Sequence, residues 1–309
     1  MLPRVRVLII GCGYVGVPLG AELVRQGHDV FGLRRCAEAS EELVAAGIAP
    51  LAGDLTDPGD LARLPGPFDW VVNLASSSRG GADVYREVYL EGSRKIVDWL
   101  SASPPQKYVF ASSTSVYGQT DGAPVGEDDL AEPAAETSKI LVESEKLLID
   151  AARERGFPAV ILRIAGIYGP GRGHLFLKYL KGEATMAADG ERMINMVHLT
   201  DLVKAIIAAL KDGRPGEIYN VADDEPIGQR SFFEWLGGTL GMEAPPIASE
   251  EALKRRKRGV TNKRVLNRKL KAELGVRLEF PNFRAGYTAE IERLRRAGAL
   301  DLGDEEESV

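Results

Sequence analysis

Residues 5–16 read VRVLIIGCGYVG, and this stretch decides the fold. Its first half is a run of β-branched and aliphatic residues typical of a buried strand. Its second half is a G-x-G-x-x-G pattern that opens a helical segment at 15–26. A second strand is predicted at 29–33, so strand, helix and strand follow one another within about thirty residues. Such a unit indicates a parallel sheet with a right-handed crossover.

The three glycines of this loop have separate predicted roles. Gly11 permits the tight turn, Gly13 lets the backbone approach a pyrophosphate, and Gly16 allows the helix to pack closely on the strand. The phosphate would then lie at the helix N-terminus, beside Tyr14 and Val15. The alternative is a plain strand–helix turn with incidental glycines. Because the motif follows a strand and opens a helix, the sequence favours a dinucleotide site.

Strand and helix patterns alternate along the chain to about residue 225. Strands are predicted at 70–75, 107–111, 159–163 and 217–221, and helices at 85–101, at 137–155 and within 197–210. This alternation predicts an α/β fold with a doubly wound parallel sheet of the Rossmann type.

A smaller, helix-rich substrate lobe is predicted in the C-terminal third. Its helices are expected at 231–240, 266–274 and 283–296. We therefore predict three parts, with these bounds: a dinucleotide-binding domain over 1–168 plus about 195–225, a substrate lobe over about 169–194 plus 226–297, and an acidic tail at 298–309.

Composition and charge exclude several classes of protein. The net charge of −6 argues against a nucleic-acid binder, and the basic run at 254–258 is expected to be a solvated loop. Cys12 and Cys36 form no CxxC pair, and no residue cluster has the spacing of a metal site. No apolar run approaches the ~18 residues of a membrane helix. The opening residues lack a signal-peptide pattern, so a cytoplasmic protein with reduced thiols is expected.

The end of the second predicted strand carries the residues that would select the cofactor. Proteins that bind NAD usually place Asp or Glu there, on the ribose 2′-hydroxyl. This chain instead has Leu33, Arg34 and Arg35. Two guanidinium groups can pair with a 2′-phosphate, so we predict NADP(H) as the cofactor. The alternative is that one or both arginines are simply solvent-exposed.

Further cofactor contacts are predicted where the next strands end. Asp54 and Leu55 follow a short strand, and Asp54 could reach the adenine ring. A turn or helix-cap role for Asp54 fits the same sequence. Leu74 and Ala75 end the strand at 70–75 and would flank the cofactor.

An ordered series of motifs resembles the extended short-chain dehydrogenase/reductase family, the NAD(P)-dependent epimerase/dehydratase group. The motifs are GCGYVG at 11–16, AGDLTD at 52–57, NLAS at 73–76, SSTSVYG at 112–118, LRIAGIYGPG at 162–171, NMVHLTDLVKAI at 195–206 and GEIYNVADDEP at 216–226. The resemblance extends to about residue 297 and implies dinucleotide chemistry on a small-molecule substrate, a sugar or nucleotide-linked sugar. It also implies a possible homodimer through the helices at 85–101 and 137–155.

The family's catalytic residues are only partly present in this chain. The resemblance implies a Ser, a Tyr that exchanges a proton with the substrate hydroxyl, and a Lys that lowers the phenol pKa and holds the ribose. These positions are Ser113, Ala135 and Lys139. A fourth position, usually Asn, is Tyr89. Two of the four residues have therefore changed, which resembles the atypical branch of the family.

The lost phenol leaves three candidate routes for the proton, since a methyl group cannot transfer one. Tyr89 could project into the vacated space. Glu136 or Thr137 could substitute from the neighbouring turn. Water held by Ser113 and Lys139 could carry the proton. Our hypothesis favours Tyr89, because the two substitutions would then be explained together.

Other polar residues near these motifs are candidates for weaker roles. Ser112 and Thr114 flank Ser113 and are predicted substrate contacts, as are Tyr117 and Tyr168 in the loop motifs, although a structural role is the alternative for both tyrosines. Arg163 is expected to be paired inside the protein, and His198 to be a helix-entry residue. Candidates for binding a diphosphate are Lys178, Lys181 and Arg192.

Three functional hypotheses follow from these patterns. The first is an NADP(H)-dependent oxidoreductase or epimerase-like enzyme, favoured by the intact glycine loop, Ser113 and Lys139. The second is a dinucleotide-binding sensor or scaffold without catalysis, favoured by Ala135. The third is a structural subunit without a cofactor, which leaves the glycine loop and Arg34 unexplained.

Overall fold

The computed structural model describes residues 3–35, 40–77, 81–186, 190–249 and 261–300. Cys36, the basic run at 254–258 and the acidic residues from 301 onward lie outside these ranges.

A seven-stranded parallel sheet forms the centre of the molecule. Its strands are β1 (Arg6–Ile10), β2 (Asp29–Arg34), β3 (Ala49–Ala52), β4 (Trp70–Asn73), β5 (Lys107–Ser113), β6 (Ala159–Ile164) and β7 (Ile218–Val221). Their spatial order is β3-β2-β1-β4-β5-β6-β7. The order reverses direction between β1 and β4, the position where doubly wound sheets bind ligands. The predicted Rossmann fold is confirmed.

Helices cover both faces of this sheet. They are α1 (Gly16–Arg25), α2 (Ser40–Ala45), α3 (Pro58–Ala62), α4 (Ala82–Arg86), α5 (Gly92–Leu100), α6 (Glu136–Arg155), α7 (His174–Leu180), α8 (Leu199–Asp212), α9 (Gln229–Leu240), α10 (Arg268–Leu274) and α11 (Phe283–Arg296). None of the helices in the described ranges is long and apolar enough to cross a membrane.

Two hydrophobic clusters enclose the sheet, one on each face. The first joins the sheet to α1, α8 and α10 through residues such as Leu23, Ile206 and Leu270. The second joins it to α5 and α6 through Ile96 and Leu148. Because both faces are covered, the central strands consist almost entirely of apolar residues, which is the pattern expected for a parallel sheet.

The C-terminal lobe has a separate, aromatic core. Phe176 of α7, Phe232 and Phe233 of α9, and Phe283 and Tyr287 of α11 are all buried in it. Aromatic side chains each bury a large area, so a few of them can hold together this small group of helices. The helix-rich character of the lobe agrees with the sequence, whereas the exact division into two domains stays a prediction.

The helix predicted at 85–101 differs from the observed one. The structure has α4, then a π-helical turn at Glu87–Glu91, then α5. A π turn inserts an extra residue into the helical repeat, which rotates the side chains beyond it, and such turns are frequent at functional sites. The sequence analysis also missed α2 and α7, which are short and lack a strong periodic pattern.

Candidate functional site

A cleft of about 310 Å³ lies at the carboxyl edge of the sheet, above the ends of β1, β2 and β4. Ile10 pairs with Leu33 on one side and with Asn73 on the other, so these three strands end level with one another. The residues around the cleft are Ile10, Gly11, Gly13, Leu33, Arg34, Arg35, Gly53, Asp54, Leu55, Thr56, Leu74, Ala75, Ser76, Val84, Glu87 and Val88.

The glycine loop forms one wall of this cleft, and each glycine has a different reason to be there. Gly11 has φ +75°, and a Cβ on it would lie 2.6 Å from the Ala75 backbone. A Cβ on Gly16 would lie 3.1 Å from Ile9 Cγ2, where α1 packs on β1. A Cβ on Gly13 would meet nothing closer than the Gly11 carbonyl oxygen at 3.9 Å. Among the described residues, an added Cβ at Gly13 would therefore meet no steric obstacle, unlike one at Gly11 or Gly16.

The two arginines after β2 are held differently. Arg34 donates through Nε to the Cys12 carbonyl oxygen, and its Nη2 lies 2.9 Å from Glu42 Oε2 on α2. Only 16% of its side chain is exposed. Arg35 is an exposed residue that lines the cleft. The interpretation of Arg34 as a freely solvated side chain is therefore wrong.

Asp54 forms the turn that the sequence offered as one of its two alternatives. Its Oδ1 accepts hydrogen bonds of 2.8 Å from the backbone amide and the hydroxyl of Thr56, which closes a turn. Asp54 and the buried Leu55 also line the cleft. Leu74 and Ala75, which follow β4, line it as well. Asn73 orients this strand end, because its Oδ1 accepts from the Ala75 amide at 3.1 Å.

Ser113 lies at the end of β5, and Ala135 and Lys139 lie at the start of α6. Ser113 is the last residue of that strand, and its hydroxyl accepts from the Ser115 amide at 3.2 Å. A hydrogen bond of 3.1 Å between the hydroxyls of Ser138 and Ser115 ties the first turn of α6 to this loop. Ala135 is the N-cap of α6 and offers no side-chain cap. The loop that follows Ser113 is therefore hydrogen-bonded to the helix turn that carries Lys139.

Lys139 is half-exposed and close to an acidic neighbour. Its Nζ lies 3.6 Å from Glu136 Oε2, one turn back on α6. More than half of each side chain is exposed, at 52% for the lysine and 58% for the glutamate. An exposed pair of this kind contributes little to stability and can separate at small cost. Lys139 is therefore available to a ligand at the start of α6.

Tyr89 lies in the π turn beside the catalytic helix. The turn packs against α6, and the Tyr89 ring is half-buried against the cluster that contains Leu141 of that helix. The ring also stacks on Tyr85 with centroids 4.3 Å apart. A phenol thus adjoins α6, the helix that begins directly after Ala135.

The structure corrects the prediction that Ser112 contacts the substrate. It is buried, and its hydroxyl donates to the carboxylate of Glu145. That carboxylate also binds Arg163, with Nη2 and Oε2 2.8 Å apart. Successive side chains of a strand point to opposite faces, so Ser112 faces α6 while Ser113 does not. Thr114 is buried as well.

Tyr117 and Tyr168 have the structural role that was the alternative for them. Both are fully buried, and burial raises the pKa of each. Tyr117 donates to Asn220 Oδ1 at 2.8 Å, and Tyr168 stacks on Tyr287 with centroids 4.6 Å apart. Tyr117 and Tyr168 therefore have a structural role in place of the predicted contact with the substrate.

The structure also shows what surrounds Arg163, His198 and Arg192. Arg163 is paired inside the protein, as expected: burial lowers its pKa, but the charge of Glu145 outweighs that effect and raises it. His198 is the N-cap of α8, where its Nδ1 accepts from the Thr200 amide at 3.2 Å, and burial lowers its pKa. Arg192 donates to the Thr261 carbonyl oxygen at 3.0 Å. The described residues contain no group of three or more His, Cys, Asp or Glu arranged for a metal ion.

Several residues of the site were missed by the sequence analysis. Glu42 is one, because nothing in the sequence shows that α2 brings it to Arg34. Val84 and Val88 are others, and their spacing of one helical turn could have shown that they share a face. Lys263 was missed as well. It is buried, donates to the Tyr117 carbonyl oxygen at 2.8 Å, and has its pKa lowered to about 8 by burial.

A model of the NAD dependent epimerase/dehydratase family matches residues 7–222. The chain belongs to this family.

Two curated relatives and one solved structure show how close the similarity is. Protein YeeZ of Escherichia coli is 32% identical over 247 residues, covering 78% of this chain and 85% of that protein. UDP-glucose 4-epimerase of Corynebacterium glutamicum is 25% identical over 273 residues, covering 79% and 82%. A dTDP-glucose 4,6-dehydratase of Streptomyces venezuelae, solved with NAD and TYD bound, has a TM-score of 0.81 at 23% identity, covering 96% and 100%. The last of these supports the fold alone.

Proposed function

We propose that this protein is an NADP(H)-dependent oxidoreductase or epimerase/dehydratase-like enzyme acting on a sugar or nucleotide-sugar substrate. One observation carries the proposal. Gly13, Arg34 and Arg35 line one cleft at the carboxyl ends of β1, β2 and β4, and Ser113 ends β5, the strand next to β4 in the same sheet. The similarity to a UDP-glucose 4-epimerase supports the choice of substrate class.

The chain's own residues can hold a dinucleotide along this edge. The amides of the glycine loop and the N-terminus of α1 suit the pyrophosphate. Asp54 and Leu55 lie where the adenine would enter, and Arg34 and Arg35 lie where a 2′-phosphate would project. When bound, the nicotinamide supplies a hydride donor or acceptor. Lys139 would hold the ribose hydroxyls, and its charge would favour an ionised group beside it.

The proton has to come from a residue other than Ala135. In this proposal Ser113 orients the substrate oxygen and Tyr89 donates or accepts the proton at that oxygen. Support comes from the π turn, which places the Tyr89 ring against α6 and its neighbouring cluster. A phenol near a lysine ammonium group has its pKa drawn toward neutrality, which suits it to proton transfer.

A second candidate function is supported by Ala135 itself. A chain that keeps the dinucleotide cleft but lacks the family's acid could bind the cofactor without turnover, as a sensor or scaffold. In that case the Tyr85–Tyr89 stack would be packing, and Tyr89 would have no catalytic effect.

The first experiment is a calorimetric titration of the purified protein with NADPH and with NADH. Micromolar binding of NADPH with much weaker binding of NADH is expected. Turnover is then followed at 340 nm by NADPH consumption and by sugar chromatography, with UDP-hexoses, dTDP-hexoses and 4-keto sugars. Turnover supports the enzyme. Binding without turnover supports the sensor, and binding of neither dinucleotide contradicts both.

Tyr89→Phe tests the proton donor, with Tyr85→Phe as its matched control from the same stack. We expect Tyr89→Phe to lower kcat by at least about a hundredfold without changing the NADPH dissociation constant. Tyr85→Phe should leave kcat within about threefold of the original protein. Equal activities of the two variants would remove Tyr89 from the mechanism and leave Glu136, Thr137 or water.

A further inference from the structure

The ion pair between Arg34 and Glu42 bears directly on cofactor selection. Arg34 is the last residue of β2, and α2 brings the Glu42 carboxylate to 2.9 Å from its Nη2. Arg34 Nε is fixed at the same time by the Cys12 carbonyl oxygen in the glycine loop. The guanidinium is therefore already bound on two sides at the edge of the cofactor cleft.

A 2′-phosphate and a carboxylate would accept hydrogen bonds from the same N–H groups of this guanidinium. The carboxylate is a planar oxyanion and the phosphate a tetrahedral one, and each can accept two hydrogen bonds from the N–H groups of the guanidinium. Arg34 is only 16% exposed, so few directions remain from which a second anion can approach. A 2′-phosphate must therefore displace the Glu42 carboxylate or bind close beside it and be repelled.

Glu42 is placed so that it can be displaced. Its side chain is 63% exposed, whereas that of Arg34 is 16% exposed. An exposed carboxylate loses little when it leaves a pair, since water replaces the lost contact. The structure thus combines a fixed cation with a movable anion that competes for it.

We propose that Glu42 sets the discrimination between a 2′-phosphorylated and a 2′-hydroxyl dinucleotide. This inference rests on the proposed cofactor site. The Glu42 carboxylate keeps Arg34 ordered and opposes the 2′-phosphate, so it lowers the affinity for NADP(H) below what the two arginines alone would provide. A ribose 2′-hydroxyl carries no charge, and its binding is unaffected by this opposition.

The test is Glu42→Gln, which removes the charge and keeps the shape of the side chain. We expect the dissociation constant of NADPH to fall about tenfold and that of NADH to stay within about twofold. Glu41→Gln is the matched control. It removes an equal charge from the adjacent exposed position of the same helix, and both constants should stay near their original values.

A double-mutant cycle shows whether the effect passes through Arg34. In an Arg34→Gln background, the gain from Glu42→Gln should shrink to about twofold or less, because the guanidinium for which the anions compete is absent. Thermal unfolding of each variant shows whether α2 is still folded.

The outcomes separate this inference from the proposed function. The NADP(H) assignment depends on the original protein: equal affinities, or a preference for NADH, would contradict it. The role of Glu42 depends on the change between the original protein and the variant. It is overturned if Glu42→Gln leaves the ratio of the two constants unchanged, shifts both constants equally, or weakens NADPH binding. Failure of the original protein to bind either dinucleotide overturns both.

Discussion

The proposed site has two halves that are built in different ways: the cofactor half is the cleft itself, and the catalytic half is the separate region around Ser113, Ala135 and Lys139. The cofactor half consists mainly of backbone: Gly11 lies against β4, and Gly13 leaves room for a ligand. The proposed catalytic half consists of side chains on β5 and α6, and Ala135, the position predicted for its acid, is the N-cap of α6. Yet directly behind it lies a closed network, in which Glu145 binds both Ser112 and Arg163. This network joins β5, β6 and α6 through side chains that do not include Ala135.

The largest expected effect comes from breaking that framework. Glu145→Ala leaves the Arg163 guanidinium buried without its counter-charge, and we expect a loss of about 4 kcal/mol in the free energy of unfolding. Arg163 has few other partners, because its Nη1 has no hydrogen bond and its remaining contact is the Tyr117 ring at 4.8 Å. Urea denaturation followed by circular dichroism measures the change.

Arg153→Ala is the control for this variant. It breaks an ion pair on the same helix α6, in which the arginine side chain is 69% exposed. Exposed pairs contribute little, so the midpoint of denaturation should barely move. If both variants were equally stable, the framework behind the catalytic half would be unimportant, and the contrast between the two halves would disappear.

The cofactor half is tested by two glycine variants that should differ from each other. Gly11→Ala forces a Cβ to within 2.6 Å of the Ala75 backbone at a φ of +75°, and we expect a loss of about 3 kcal/mol in stability together with loss of NADPH binding. Gly13→Ala adds a Cβ with no neighbour closer than 3.9 Å. It should stay folded with near-normal stability and still lose NADPH binding, because its methyl group would occupy the space for the pyrophosphate.

This pair of variants separates a folding role from a binding role. Thermal unfolding and calorimetric titration are measured for both proteins. If Gly13→Ala binds NADPH normally, the free space beside Gly13 does not hold the pyrophosphate, and the cofactor half has been placed wrongly.

The two halves also differ in how far the sequence could predict them. The glycine loop is a local pattern, so the strand, the helix and the cleft residues from Gly11 to Gly16 follow from adjacent positions. Ser113 and Lys139 were found because they lie in ordered motifs. The roles of Ser112 and Tyr117 were predicted less well, because strand alternation and burial decide which side chains face the cleft.

The partners of charged residues were the least predictable part. Arg163 was expected to be paired, but its partner Glu145 lies on a different element, and their contact depends on how α6 packs against the sheet. The pairing of Arg34 with Glu42 likewise depends on where α2 lies. Such pairs are set by tertiary geometry, on which a single sequence carries no periodic signal.

The smallest expected effect tests the altered position itself. Ala135 is the N-cap of α6, with the extended backbone angles φ −75° and ψ 132° that suit a capping residue, yet no side chain caps the helix. Ala135→Ser should place a hydroxyl within reach of the first amides and raise the free energy of unfolding by about 1 kcal/mol. Ala134→Ser, one residue before the cap, is the control and should have no effect, since its hydroxyl lies outside the first turn.

A stabilising Ala135→Ser variant would show that the alanine is not there for stability. The position would then have been free to accept a better cap, so alanine must be retained for another reason, such as the room it leaves for the Tyr89 ring or for the substrate. The same variant distinguishes these two reasons. If the added hydroxyl stabilises the helix but lowers turnover, the space at position 135 belongs to the reaction. If it stabilises the helix and leaves turnover unchanged, the catalytic half tolerates substitution there, and the proton passes through residues that do not depend on position 135.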